Sequence, residues 1–211
     1  MDEARPFHAI GLGRRKTTGL QMEALENLMS RRSPMKLAEP APAREALDKA
    51  IAAAVRAPDH GKLKPWRFVV IDSDARAAFG DVLARCLKRQ QPDCPEEMLA
   101  REREKAFRAP AIVVAVAKIQ PQHPKIPEVE QLLAAGAATQ NFWLALHAQG
   151  YGAMWKTGAA AYDAQVKHEL GLAETDQIIG FLYVGSIAQP AMDAKRPEPD
   201  GFVGRWTQPA A

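Results

Sequence analysis

Six stretches of the chain predict helices, and in two of them, residues 22–29 and 42–57, the apolar positions fall on one side of the helix. The stretches are residues 22–29, 42–57, from 73 onward, 96–107, from the segment HPKIPEVEQ to about 149, and 164–170. Four runs of strand length alternate with them, in WRFVVID, AIVVAVA, GYGAMWKTG and IIGFLYVG. A helical start followed by strands separated by helices predicts an α+β domain, with a small central sheet flanked by helices.

Prolines and short polar residues predict where the helices begin and end. Pro42 suits the first helical position, and that helix should stop at Ala57 because the residue before Pro58 avoids helical geometry. Ser73 or Asp74 is expected to cap the next helix. From residue 190 onward the chain is rich in proline and is expected to form an extended arm.

The stretch from Gln131 to Trp155 contains no Asp, Glu, Lys or Arg, which would also fit a membrane span. Polar residues interrupt it, Thr139, Asn141 and His147 among them. A buried central helix is therefore the expected structure, and no membrane partner is expected.

Composition fits one globular domain, or at most two small ones. The 211 residues are 47% apolar, and 28 basic against 25 acidic residues leave a net charge of +3. This mild excess does not indicate nucleic acid as a partner. Cys86 and Cys94 cannot form a disulfide framework or a four-ligand zinc site, and the first 19 residues lack the apolar core of a secretory signal. A cytoplasmic protein is expected.

Three short stretches, each at the end of a core element, combine cations with hydroxyl or aromatic groups. They are SRRSP at 30–34, RAPDHGKLKPW at 56–66 and WKTG at 155–158. Each alone fits a solvated loop or helix end. Together they suggest a cradle for one flat aromatic ligand that carries a phosphate, because a planar guanidinium binds phosphate through two hydrogen bonds.

Other motifs indicate no further chemistry. GLGRRKT at 11–17 contains Gly-x-Gly but follows no predicted strand, so it is neither a dinucleotide-binding turn nor a P-loop. The five histidines lack metal-ligand spacing and no nucleophile elbow occurs, so no metal site is expected. Trp143 and the long helix are expected to serve core or subunit packing, and Gly136 would let another helix approach closely.

SRRSP, RAPDHGKLKPWRFVV, FRAPAIVVAVA, AQGYGAMWKTG and IIGFLYVGSIAQP, in this order around the uncharged helix, resemble the flavin-dependent nitroreductase family. Within it, the YdjA-like branch of small bacterial proteins is the most similar. The resemblance covers residues 22 to about 206 and implies a homodimer of nitroreductase fold, with the long central helix at the interface and one FMN per subunit. It implies hydride transfer from NAD(P)H via flavin N5 to a nitroaromatic, quinone or other electron-poor small molecule.

The same resemblance implies which residues bind the cofactors. The FMN set, carried over by motif, is Arg31, Arg32, Ser33, Arg56, His60, Trp155, Lys156 and Thr157. The NAD(P) set is Ala145, Leu146, His147, Ala148, Gln149 and Gly150. Since the flavin carries the hydride chemistry, no catalytic side chain is expected.

The chain departs from the family pattern in two regions. Lys62 and Lys64 stand in the loop where many members have neutral residues, and Lys156 stands where arginine is usual in the branch, which bears on substrate and flavin potential. Residues 1–21 precede the opening helix of the family. They are expected to reflect a mis-called start, with Met22 the true one, or to form a flexible arm; the intact mass of the native protein distinguishes these. Residues 207–211 are expected to be a C-terminal tail.

Two alternative functions remain at this point. The first is a different flavin reaction on the same fold, such as reductive dehalogenation or flavin fragmentation, because fold alone does not fix the reaction. The second is a non-enzymatic module that binds flavin, or nucleic acid through Arg14, Arg15 and Lys16. Steady oxidation of NAD(P)H with an electron acceptor would favour the enzyme.

Overall fold

The computed structural model describes residues 22–192 and 195–206, which form helices on both faces of a five-stranded sheet. The predicted extension 1–21 and tail 207–211 lie outside the described residues. The helices are α1 (Ala24–Ser30), α2 (Arg44–Ala54), α3 (Ala75–Gln90), α4 (Glu96–Glu104), α5 (Glu128–Ala148) and α6 (Ala164–Glu169). The strands are β1 (Lys36–Ala38), β2 (Trp66–Asp72), β3 (Ala111–Ala117), β4 (Gly152–Lys156) and β5 (Gln177–Gln189). The predicted α+β class is confirmed.

Strand β5 organises the sheet. The order is β1-β5-β3-β2, β4 also pairs with β5, and every pairing is antiparallel. All seven residues of β3 are buried because helices cover both faces of the sheet at this strand. A fully apolar run of this length is typical of such a central strand.

Alternation along the strands divides the core into two faces. On the α5 face, Val113 and Leu182 pack with Phe142 of α5 and with the alanines of α2. On the α3 face, Val114 and Phe181 pack with the inner side of α3 and with α6. Adjacent residues of one strand therefore pack into different halves of the core, and the same holds for strand β4.

The predicted buried central helix is confirmed as α5. Its two buried polar residues are hydrogen-bonded: Gln131 exchanges hydrogen bonds with the main chain of Gln120 at 2.8 and 3.0 Å, and Thr139 Oγ1 donates to the carbonyl oxygen of Ala135 at 2.8 Å. Gly150, with a φ of +85°, ends the helix in a Schellman motif, in which the N–H of Tyr151 donates to the carbonyl oxygen of Leu146. Among the described residues, no helix combines the length and apolar character that a membrane span requires.

Several element boundaries differ from the sequence prediction. Helix α2 begins at Arg44 with Ala43 at the N-cap, so Pro42 lies before the cap and the prediction that it is the first helical residue was wrong. Asp74 takes the N-cap position of α3 as expected, but its side chain makes no capping hydrogen bond. The predicted helix over 96–107 closes as a 3₁₀ turn from 105 to 107.

Strand β1 was not predicted, and β5 runs four residues past the predicted apolar segment, to Gln189. The two additions have one cause: Lys36–Ala38 pairs with the end of β5 between Ser186 and Gln189. Beyond it, Pro190 opens the C-terminal arm; its described residues, 190–192 and 195–206, are mostly exposed and include a 3₁₀ turn at Pro199–Phe202.

Candidate functional site

The first predicted stretch places Arg31 against the long helix. Helix α1 ends at Ser30, and the guanidinium of Arg31 stacks on Trp143 of α5 with Cζ 4.1 Å from the ring centroid. Its Nη1 atom is buried and has no hydrogen-bond partner among the residues that the structure describes. A buried donor without a partner is costly, so this nitrogen is a candidate contact for an anionic ligand.

The surroundings of Arg31 are positively charged. Arg196, from the C-terminal arm, donates through Nη2 to the carbonyl oxygen of Arg31 at 2.9 Å. Burial, and then the charge of Arg196, lowers the pKa of Arg31. Burial, and then the charge of Arg31, lowers the pKa of His147, whose Nε2 lies 3.0 Å from Ser30 Oγ. Both shifts mark a desolvated region that a negative charge would stabilise.

A cavity of about 430 Å³ opens at the same place. It is lined by Ser30, Arg32, Pro34, His147, Ile187, Pro190 and Ala191. Arg32 also donates through Nη1 to the carbonyl oxygen of Met192 at 3.4 Å, and Ser33 is exposed. The structure thus brings Arg32 of the predicted FMN set and His147 of the predicted NAD(P) set to one cavity.

Trp155 of strand β4 joins this group from the sheet. Its indole Nε1 donates to the carbonyl oxygen of Ile179 at 3.1 Å, and its ring meets Trp143 edge-on with centroids 6.3 Å apart. Gly180 makes room for the indole, because a Cβ there would lie 2.1 Å from Nε1. Arg31, Trp143 and Trp155 form a continuous series of ring contacts on the α5 face, called here the Arg31 site.

The side chain of Lys156 lies elsewhere. Strand alternation puts Trp155 on the α5 face and Met154 on the α3 face, where Lys156 lines a cavity together with Thr157, Arg108 and others. The structure therefore does not bring the Lys156 side chain to the Arg31 site. Thr157, exposed at the turn after β4, borders the same α3-face cavity.

The second predicted stretch is a rigid turn. Both carboxylate oxygens of Asp59 accept main-chain hydrogen bonds, from Leu63 at 3.1 Å and Lys64 at 2.8 Å. Gly61, Lys62 and Lys64 all have positive φ, between 51° and 73°. Only glycine adopts this region without strain. The hydrogen bonds to Asp59 therefore offset the backbone strain at Lys62 and Lys64.

The cations of this turn point outward, at the far end of α5. Arg56 is exposed, and His60 Nδ1 lies 2.5 Å from a carboxylate oxygen of Glu130. At 1.5 Å per residue, the part of α5 between Glu130 and His147 spans about 25 Å. Within one chain, His60 is therefore not brought to the Arg31 site. Arg56 follows α2, whose Ala53 carbonyl oxygen accepts a hydrogen bond from Asn141 of α5 at 3.5 Å.

Only part of the predicted NAD(P) segment, residues 145–150, is accessible to a ligand. Leu146 is fully buried in the core, and Gln149 Nε2 donates to the carbonyl oxygens of Ala46 and Ala145 at 3.2 and 2.9 Å. Ala145 and His147 are half-buried, while Ala148 and Gly150 are exposed. Of these, His147 is the one that lines the cavity at the Arg31 site.

Trp143 of the Arg31 site and the neighbouring Arg196 were not in the predicted set. Trp143 was expected only to pack, and its spacing on α5 gives no sign that it supports Arg31. Arg196 lies in the proline-rich arm, in the short basic pair Lys195–Arg196. This basic pair is the feature of the sequence that could have identified Arg196, because binding residues are often found in loops.

Comparisons with a family model and with a curated relative give the same family over most of the chain. A model of the nitroreductase family matches residues 28–186. The Escherichia coli K12 protein described as "Putative NAD(P)H nitroreductase YdjA" is 39% identical over 183 residues, covering 86% of this chain and 98% of the relative.

Solved structures share the fold. A nitroreductase-like family protein from Bacillus cereus superposes with a TM-score of 0.77 at 21% identity, covering 92% of this chain and all of the other. A Desulfovibrio desulfuricans protein crystallised in complex with FMN gives a TM-score of 0.66 at 24% identity, over 87% of this chain and 97% of the other.

Proposed function

The chain belongs to the nitroreductase family and is an oxidoreductase, and we propose that it uses FMN to pass a hydride from NAD(P)H to an electron-poor acceptor. The acceptor class we favour is a nitroaromatic or a quinone. The observation that carries the proposal is the buried, unpaired Nη1 of Arg31 beside Trp143.

The residues present fit FMN. A phosphate at Arg31 would give the buried donor an anionic acceptor and would offset the repulsion between Arg31 and Arg196. Trp143 and Trp155 supply aromatic surface next to it, as a flat ring system requires. FMN, when bound, supplies the ring that accepts and donates the hydride.

The chain itself contributes binding, orientation and charge. Arg31 and Arg32 would hold the phosphate, with Ser33 adding a hydroxyl donor, and the indole of Trp155 would fix the ring system from the sheet side. His147 would face the nicotinamide cofactor from the exposed part of segment 145–150. Its lowered pKa keeps the imidazole neutral at pH 7, so it can accept as well as donate a hydrogen bond.

We propose that a second copy of the chain completes the site. His60 contacts Glu130, about 20 Å along α5 from Trp143 of the Arg31 site, so it can join this site only from a partner whose α5 runs in the opposite direction; the exposed Arg56 of the same loop would join it from the partner as well. The outer side of α5 suits such a contact: Val129 is 58% exposed, Leu133 is 67% exposed, and a Cβ added at Gly136 would meet nothing within 4 Å. The proposed setting is the cytoplasm, where Cys86 and Cys94 stay free thiols.

The first test is the visible absorption spectrum of freshly purified protein, with mass analysis of the released ligand. We expect a flavin spectrum and FMN. Arg31→Ala should weaken FMN binding by about tenfold or more, the usual loss for a charge-assisted hydrogen bond. Arg101→Ala is the matched control, because Arg101 is exposed on α4 and forms an ion pair with Glu97 on the same helix.

Turnover separates the proposal from its alternatives. Steady NADH or NADPH oxidation with a nitroaromatic or a quinone is expected from the wild-type protein. Flavin binding without such turnover would point to a flavin-binding module, and oxygen-dependent loss of the flavin itself to a fragmenting enzyme. Protein that stays colourless with added FMN would contradict the assignment of Arg31.

A further inference from the structure

A second cavity, of about 460 Å³, lies on the α3 face of the sheet and is independent of the Arg31 site. We call it the outer cavity. Helix α3, the end of α4, the turn after β4 and strand β5 line it. A neighbouring cavity of about 430 Å³ shares two of its residues, Arg108 and Lys156. These two cations therefore stand between two concave spaces.

Arg108 and Lys156 differ from the other cations around them. Arg85, Arg89 and Arg103, on α3 and α4, each form an ion pair with a carboxylate. Among the residues that the structure describes, the side chains of Arg108 and Lys156 have no ion-pair or hydrogen-bond partner. Unpaired cations at a cavity are favourable contacts for an anion.

Tyr183 adds a polar group at the base of the outer cavity. The residue is only 4% exposed, and its hydroxyl has no hydrogen-bond partner within the described part of the chain. Burial raises its pKa, while the charge of Arg108 opposes this and that of Glu102 adds to it. The phenol thus stays protonated at neutral pH and can donate to a ligand.

The rest of the outer cavity limits what it can hold. Leu83 and Phe181 are buried apolar walls. Glu102, which pairs with Lys105, also lines the cavity, and its charge disfavours a ligand with two negative charges. Cys86 is present too, but burial, and then the nearby Asp163, raise its pKa to about 11, so it stays a thiol and is no nucleophile.

We propose that the outer cavity binds a small aromatic carboxylate. Its carboxylate accepts hydrogen bonds from Arg108, Lys156 and the Tyr183 hydroxyl, and its ring packs against Leu83 and Phe181. The volume is within the range of small-molecule sites, which combine apolar walls with a few convergent polar groups. No covalent step is involved, and binding does not depend on FMN.

The test is isothermal titration of the full-length protein, with and without saturating FMN, using 2-naphthoate as the probe. 2-Naphthamide is the matched neutral control, since it keeps the rings and removes the charge. We expect a Kd for 2-naphthoate of about 1 mM or below, as ligand efficiencies for a molecule of this size suggest. The amide should bind about tenfold more weakly or not at all.

Variants locate the probe. Arg108→Ala should weaken 2-naphthoate binding by about tenfold, and Tyr183→Phe, which keeps the ring, by a smaller factor of about three to ten. Arg101→Ala and Arg31→Ala should leave it unchanged. Equal binding of acid and amide, displacement of the probe by FMN, or a loss in Arg31→Ala but not in Arg108→Ala would each overturn the proposal, as would no binding to the wild-type protein. Circular dichroism of each variant checks folding, and the isosteric Tyr183→Phe remains informative if Arg108→Ala does not fold.

Discussion

Gly180 shows how one residue connects the sheet to the Arg31 site. A Cβ at this position would lie 2.1 Å from Nε1 of Trp155 and 3.0 Å from the carbonyl oxygen of Lys156, so an added methyl group must displace the indole. We expect Gly180→Ala to lower the free energy of unfolding by about 1–3 kcal/mol, as overpacking of a core does. Urea-induced unfolding measures this loss.

The matched control for this substitution is Gly204→Ala. Gly204 lies in the exposed C-terminal arm, and a Cβ there would meet nothing within 4 Å. Its unfolding midpoint should stay that of the wild-type protein. If Gly180→Ala were as stable as Gly204→Ala, the indole of Trp155 would not be fixed as described. FMN affinity should fall together with stability, because Trp155 belongs to the proposed FMN site.

At the scale of elements, two aspartates at helix starts make a contrast. Asp163 accepts the N–H of Val166 at 2.8 Å as the N-cap of α6, and it also pairs with Arg89 at 2.7 Å. Asp74 occupies the same position before α3 but makes no side-chain capping bond. We expect Asp163→Ala to cost about 1–3 kcal/mol of unfolding free energy at pH 7, and Asp74→Ala less than about 0.5 kcal/mol.

The pH dependence of the Asp163 effect has a definite sign. Burial acts to raise the pKa of Asp163, but the hydrogen bonds from Arg89 and Val166 outweigh it, and the net pKa lies below its ordinary value of 3.8. A lowered carboxyl pKa adds stability above the unfolded-state pKa, and this is lost as the pH falls through the folded one. The stability difference between wild type and Asp163→Ala should therefore be full at pH 7 and shrink below about pH 4. A difference that grew on acidification would contradict this account.

The elements themselves were largely predictable, whereas their partners were not. The long uncharged stretch that forms α5 and the unbroken apolar run of β3 are strong local signals, so both were expected. Strand β1 has no such signal, because Lys36–Ala38 is held by pairing with the end of β5. Side chains alternate between the two faces of a strand, so the sequence alone could have predicted that Lys156 and Trp155 lie on opposite faces of β4.

The arrangement of the candidate site depended on the whole molecule. Sequence motifs grouped Arg31 with His60, but the residues of α5 that they contact, Trp143 and Glu130, lie about 20 Å apart along the helix in one chain. The predicted length of that helix already implied about 30 Å between its ends, so the grouping needed a second chain from the start. The support that Arg196 gives to Arg31 could not be predicted, since it depends on how the C-terminal arm folds back.

At the scale of the whole molecule, the proposed dimer determines whether the Arg31 site is complete. Leu133 is 67% exposed on the outer side of α5, four residues from Val129 and one turn before Gly136. If this side meets a second copy, Leu133→Arg would bury an unpaired charge in the contact, at a cost of several kcal/mol. We expect this variant to be monomeric by light scattering coupled to size-exclusion chromatography. It should also retain less FMN, because Arg56 and His60 of a partner would no longer reach the Arg31 site.

Met98→Arg is the control for this prediction, because Met98 is a partly exposed apolar residue on α4, at the opposite face of the sheet. It should leave both the dimer and the bound FMN unchanged. A Leu133→Arg variant that stays dimeric would place the contact on another surface. A wild-type monomer that binds FMN tightly would show that the Arg31 site is complete in one chain, and that the loop at 56–66 has a separate role.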